Sequence, residues 1–261
     1  ATGGGNLMNQ KSTDLYMGSA PGVGLILPNL YNISNITPIG IRYNNSIKNK
    51  AIYSVFATTS IGFKDQLYLD LTARNDWSSA LSESFFYPSV GLSGVISDMV
   101  DLPEAISFAK LRASYAKVGN DTNPYQTSSR VTYIGGNGGI LFPQSTAGNP
   151  NLRPEMSNSV EFGADIRFFN SRLGLDVTYF QTNTKDQIFY INTPESSSKE
   201  RAIVNGGEIQ NKGFEAVLTA TPVQTENFTW DITTNFATYK SEVKSIYGGR
   251  DELVLGQGRL V

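Results

Sequence analysis

An alternation of apolar and polar residues, sustained over long runs, constrains this chain more than any other feature. From Gln66 onward Leu67, Leu69, Leu71 and Ala73 point one way, while Gln66, Tyr68, Asp70, Thr72 and Arg74 point the other. A repeat of two places unlike faces on a β-strand and is incompatible with a helix. The preceding segment, Ala51 to Phe63, sets Tyr53, Val55, Ala57, Ile61 and Phe63 on one face and meets the next through Lys64-Asp65, which predicts a tight hairpin.

The pattern recurs downstream. Val160, Phe162, Ala164, Ile166 and Phe168 oppose Ser159, Glu161, Gly163, Asp165 and Arg167, and a turn is expected at Asn170-Ser171. The return strand sets Leu173, Leu175, Val177 and Tyr179 against Arg172, Gly174, Asp176 and Thr178. Phe214, Ala216, Leu218 and Ala220 form another apolar row, followed by a turn over 221–227 and by Phe228, Trp230 and Ile232. With strands near 87–97 and 108–118 the chain reads as all-β, with about eight strands close to the length a tilted membrane strand needs.

Connection lengths give the strands an orientation. Lys64-Asp65, Asn170-Ser171 and the turn after Ala220 are short, whereas 78–86, 119–155 and 190–206 are long and rich in Gly, Asn, Ser and Pro. Short periplasmic turns and long external loops are the habit of outer-membrane barrels. The connection over 98–107 is longer than this rule wants. Residues 1–50 read as an outer loop region leading into the first strand, 51–241 as strands with external loops, and 242–261 as the start of a further external loop. A soluble β-sandwich, serving as a binding or adhesion module, gives the same alternation, but its strands usually run to about five or six residues.

Composition removes several function classes. Cysteine and histidine are both absent, which excludes disulfides, thiolate chemistry, the usual zinc sites and His-based triads. The net charge of -2 comes without a basic cluster and speaks against nucleic-acid binding. No run approaches the about 20 apolar residues of a membrane helix. Charged residues make up 17%, below the roughly 25% of soluble domains, and with abundant Gly, Ser, Thr and Asn this suits strands and turns. No secretory signal stands at Ala1, and both ends read as those of a fragment.

Beyond the period, particular words carry a resemblance. The run Leu71-Thr72-Ala73-Arg74-Asn75-Asp76-Trp77-Ser78-Ser79 is followed by Ser84-Phe85-Phe86-Tyr87-Pro88-Ser89-Val90-Gly91-Leu92-Ser93, then by Lys110 to Asn120, Asn149-Pro150-Asn151-Leu152-Arg153-Pro154-Glu155 and Asn205 to Glu215. In this order they resemble the barrel of SusC/RagA-type TonB-linked outer-membrane transporters, over about residues 29–240. The resemblance implies an antiparallel transmembrane β-barrel segment, part of a plugged barrel of about 22 strands. It also implies the outer membrane of a Gram-negative bacterium of the Bacteroidota, uptake of oligosaccharides or peptides, and a SusD-like surface lipoprotein as lid. Energy would come through TonB, ExbB and ExbD, acting on a box and a plug domain that this chain does not contain. A siderophore-type TonB receptor and a porin are the nearest alternatives.

Candidate residues follow from these placements. Trp77, Tyr125, Tyr133 and Phe142 belong to the external loops or their margins and are the candidate substrate contacts. For Trp77 the competing reading, a membrane-boundary anchor, carries more weight. Phe63, Tyr68, Phe168, Phe169, Phe228 and Trp230 flank the short turns as a membrane girdle facing outer-membrane lipid. Gly135-Gly136-Asn137-Gly138-Gly139 lacks the lysine and helix of a phosphate loop. Glu161 and Asp165, at alternate strand positions, fit a polar lumen better than the paired acids of a hydrolase, so no catalytic, metal or cofactor site is expected.

Overall fold

The computed structural model describes residues 1–20, 22–134 and 140–249, apart from the side chains of 132–134, 140, 142, 195 and 249. Its strands in chain order are β1 (Thr2–Ser19), β2 (Ile41–Phe63), β3 (Leu67–Ser78), β4 (Phe85–Val95) and β5 (Ile106–Asn120). Three short strands follow, β6 (Val131–Ile134), β7 (Ile140–Pro143) and β8 (Thr146–Ala147). Then come β9 (Glu155–Phe168), β10 (Leu173–Lys185), β11 (Ile188–Asn192), β12 (Arg201–Asn205), β13 (Glu208–Gln224) and β14 (Thr229–Ser245). Among the described residues no helix is long and apolar enough to cross a membrane.

Nine strands form one antiparallel sheet in the order β1-β2-β3-β4-β5-β9-β10-β13-β14. Once the small strands are set aside this is an uninterrupted meander, each strand pairing with its neighbour in sequence. Register carries the alternation from strand to strand: Ile61 faces Leu69, Leu69 faces Leu92, and Leu92 faces Ala113. Ala113 in turn faces Phe162, Phe162 faces Tyr179, and Tyr179 faces Phe214. One side of the sheet is therefore apolar from β2 to β13, and a one-residue slip anywhere would invert a strand.

Turn chemistry fixes that register. Lys64 and Asp65 both adopt left-handed backbone (φ 51 and 56), and the N–H of Gln66 donates to the carbonyl of Phe63 at 3.0 Å. Two left-handed central residues match the twist of the flanking strands. Phe169, Asn170 and Ser171 repeat the device at the β9–β10 turn. The 96–105 connection lies at the same end; its extra length is taken up by a 3-10 turn at Ile96–Asp98, where the N–H groups of Met99 and Val100 donate to the carbonyl of Ile96.

At the opposite end lie the long connections, 20–40, 79–84, 121–154 and 186–207. They contain their own structure: β6 pairs with β7, while β11, β12 and β8 make a three-stranded sheet. Burial concentrates here. Leu81, Phe85, Leu152 and Ile203 form a small core, flanked by Tyr87, Met156 and Ile188. The apolar face of the main sheet, in contrast, is bare: Val55, Leu92, Leu111 and Phe162 are all more than half exposed. A sandwich would cover that face with a second sheet, and none of the described elements does so.

Two sequence expectations change. Residues 2–19, expected as loop, form β1, and β2 begins at Ile41, which brings the main sheet to nine strands. Gly3-Gly4-Gly5 has no side chains to alternate, and Asn9, Lys11 and Thr13 are polar on the face that also bears Leu7, so pairing with β2 and not periodicity defines the strand. β13 runs to Gln224 and β14 to Ser245, beyond the expected ends at 220 and 241. A register shift between Ala220 and Val223 breaks the alternation where Pro222 removes a backbone donor. Residues 250–261 lie outside those described.

Candidate functional site

The outer extension of β2 positions the site. Lys50 forms an ion pair with Asp121 and donates to the carbonyl of Thr122 at 3.0 Å, and Ser78 donates to the second oxygen of Asp121 at 2.5 Å. Both charged side chains are nearly buried, at 15% and 9% exposure, so removing either would strand the other. This pair fastens the start of the β5–β9 connection to the middle of β2, and Ser78 ties it to the end of β3.

From that anchor the chain turns over Tyr125, whose φ of 68 is unusual for an aromatic residue. Its hydroxyl accepts from the N–H of Asn49 at 3.2 Å, and the Arg130 guanidinium lies 4.2 Å from its ring centroid. Gln126 donates through Nε2 to the Tyr190 hydroxyl at 2.7 Å, which joins this loop to β11. Gly148 is pressed against the Ser128 backbone, where a Cβ would stand 2.3 Å from the carbonyl carbon. Only glycine permits that approach. Lys199 closes the rim by donating to the carbonyl of Gln144 at 2.7 Å.

Together these segments enclose a pocket of about 320 Å³, lined among others by Lys48, Tyr125, Arg130, Gln144 and Tyr190, with Ile203 shared with the small core. Among the described residues no carboxylate lines it. Lys48 pairs at 3.2 Å with Asp14 of β1, and both side chains are about half exposed. Further along the outer end of the sheet, Glu242 accepts from Lys244 at 2.8 Å.

Below the loops the polar face is a continuous hydrogen-bonded wall. Asp76 accepts from Arg74 Nε at 2.7 Å and from the Tyr87 hydroxyl at 2.6 Å, while Arg74 also donates to Ser54 at 2.8 Å. Arg112 on β5 reaches over β9 to β10, where it binds both carboxylate oxygens of Asp176 (3.0 and 2.5 Å) and the Thr178 hydroxyl (2.7 Å). It passes above Gly163, where a Cβ would stand 2.3 Å from Nε. Ser60 donates to Asp70 at 2.6 Å, and Asp165 is satisfied by Arg167. Asp165 and Asp176, which face each other across β9 and β10, are each paired with an arginine, Arg167 and Arg112 respectively.

The structure separates the residues expected to bind substrate. Tyr125 lines the pocket, whereas Trp77, opposite Tyr53 on β2, stands on the apolar face and points away from it. Tyr133 and Phe142 fall on β6 and β7, but their side chains lie outside those described, as does the Gly135–Gly139 run. Tyr190 was not singled out from the sequence, because its role depends on Gln126, which is 64 residues away. Lys48 was missed for the same reason.

Of the residues expected in a girdle, Phe63, Phe168 and Trp230 share the apolar face near the short turns, Phe169 lies in a turn beside Phe168, and Phe228 lies in the connection just before β14. Tyr68 departs from that row. It sits over Gly62 on the polar face with Asp70 and Thr72, since its neighbours Leu67 and Leu69 take the apolar side.

A bare apolar face, a hydrogen-bonded polar face and loops gathered at one end define a segment of an outer-membrane β-barrel wall. The chain belongs to the TonB dependent receptor-like, beta-barrel family, which matches residues 3–257. TonB-dependent receptor P26 of Formosa agariphila is 29% identical over 255 residues, covering 94% of this chain and 26% of the relative. TonB-dependent receptor SusC of Bacteroides thetaiotaomicron is 24% identical over 215 residues, covering 77% and 21%. The RagAB peptide importer in its open-open state superposes with a TM-score of 0.76 at 22% identity, over 97% of this chain and 31% of that one. The siderophore receptor PirA from Pseudomonas aeruginosa follows at 0.53 and 17% identity, over 92% and 44%. The chain thus spans about a quarter of the length of the curated relatives.

Proposed function

We propose that this chain forms part of the wall and outer mouth of a SusC-type TonB-dependent transporter, which imports oligosaccharides or peptides across the outer membrane beneath a SusD-like surface lipoprotein. The observation that carries the reading is the two-faced sheet: an apolar side left bare for lipid, and a polar side whose Asp76 and Asp176 are held by Arg74 and Arg112. Lipid is the solvent that suits such a face, because every strand inside the sheet satisfies its backbone laterally. The higher fold similarity to RagAB than to PirA favours the SusC type over a siderophore receptor.

In this reading the wall acts as a scaffold. The outer loops select cargo, the lid closes over them, and TonB with ExbB and ExbD supplies energy through the plug. Deleting the gene for the full-length receptor tests it. Uptake of a labelled oligosaccharide or peptide mixture is expected to fall, and a lipoprotein is expected to co-purify with the tagged receptor. A growth defect confined to iron-limited medium, with glycan and peptide uptake unchanged, would instead assign the receptor to siderophores.

A further inference from the structure

We infer that the outer pocket between β2, the 121–130 segment and β11 is a subsite for an acidic saccharide, with Arg130 as its anion contact and Tyr190 as its stacking surface; the inference rests on the transporter reading above. Charge is the first argument. Among the described residues the lining presents Arg130 and Lys48, the latter paired with Asp14 of β1, and no carboxylate, in a chain whose formal net charge is -2. The nearby acid Asp121 is neutralised by Lys50 and hydrogen-bonded by Ser78, so it does not compete for an incoming anion.

Shape and rigidity are the second. Tyr125 and Tyr190 are both more than a third exposed although their hydroxyls are fixed, to Asn49 and Gln126 respectively. Rings tethered at the hydroxyl and open elsewhere give contact area with little loss of side-chain entropy. The guanidinium held against Tyr125 is planar and suited to two-point binding of a carboxylate or sulfate. The amides of Asn123 and Gln144 complete a wall suited to sugar hydroxyls. A peptide fits less well: the lining offers Ile203 and Pro124 as its larger aliphatic surfaces and no acid for a peptide amine.

The test uses the full-length receptor purified in detergent and titrated calorimetrically with a short oligogalacturonate, a maltooligosaccharide of equal length and an oligoglutamate peptide. The expected result is tightest binding of oligogalacturonate, weakened roughly tenfold or more by Arg130→Ala and by added salt. Tyr190→Ala is expected to weaken it too, with Tyr190→Phe falling between wild type and Ala. Equal affinity for the neutral sugar, preference for oligoglutamate, or an unchanged affinity in Arg130→Ala would overturn the proposal. Neutral-glycan uptake by wild-type cells separates the two readings: uptake of neutral glycan together with no oligogalacturonate binding by the wild-type receptor leaves the transporter reading standing and removes the subsite. Heat-modifiable mobility on gels shows that each variant is folded.

Discussion

Asp76 shows how much a single carboxylate can hold on a barrel wall. It is 6% exposed and gathers Arg74 and Tyr87, while Arg74 extends the network to Ser54. Asp76→Ala leaves a guanidinium and a phenol without their acceptor, and because Arg74 keeps partial access to water the loss is expected to be about 2 kcal/mol, below the roughly 3–5 kcal/mol of a fully buried pair. Asp70→Asn, at an exposed site bonded only to Ser60, is expected to change stability by less than about 0.5 kcal/mol. Urea unfolding of the full-length receptor in vesicles measures both. A second test concerns Gly163. If its bare Cα is what lets Arg112 cross to Asp176, Gly163→Ala destabilises the wild type by about 1 kcal/mol and has little effect in an Arg112→Ala background, a non-additivity that a double-mutant cycle reads directly.

At the scale of the element, β3 carries the face assignment in its own sequence. Leu71 and Thr72 are neighbours on opposite sides, Leu71 beside Val90 on the apolar face and Thr72 against Ser89 on the polar one. Arginine in place of Leu71 is expected to cost about 2–4 kcal/mol of unfolding free energy in lipid, whereas arginine in place of Thr72 costs less than about 1 kcal/mol. Equal costs would mean that the sheet does not separate lipid from water. β3 was legible because Leu67, Leu69, Leu71 and Ala73 alternate with Asp70, Thr72 and Arg74, and the Lys64-Asp65 turn was legible from its length. β1 was not, since its glycines and its polar residues on both faces leave the strand to be specified by its partner. The pocket divides in the same way: Tyr125 is conspicuous as an aromatic residue in a long loop, but its relation to Lys48 and Tyr190 arises from contacts across three connections that no local pattern encodes.

For the whole molecule, the nine-stranded sheet ends in two long strands, β1 of 18 residues and β14 of 17, each paired on one side only among the described residues. Unpaired edges of that length do not persist in lipid or in water, so the sheet calls for further strands, as the resemblance to a larger plugged barrel implies. The small core of Leu81, Phe85, Leu152 and Ile203 joins the outer connections to the outer end of β4, which divides the work between a lipid-supported wall and a self-packed outer layer. The central claim is that these two faces meet lipid and aqueous lumen respectively. Nitroxide scanning from Leu67 to Arg74 tests it most directly, in the full-length receptor reconstituted into liposomes; the segment has no cysteine of its own to interfere. The account predicts that labels at 67, 69, 71 and 73 are quenched preferentially by oxygen, and those at 68, 70, 72 and 74 by a water-soluble nickel reagent. Loss of alternation, or alternation in the opposite phase, would contradict it.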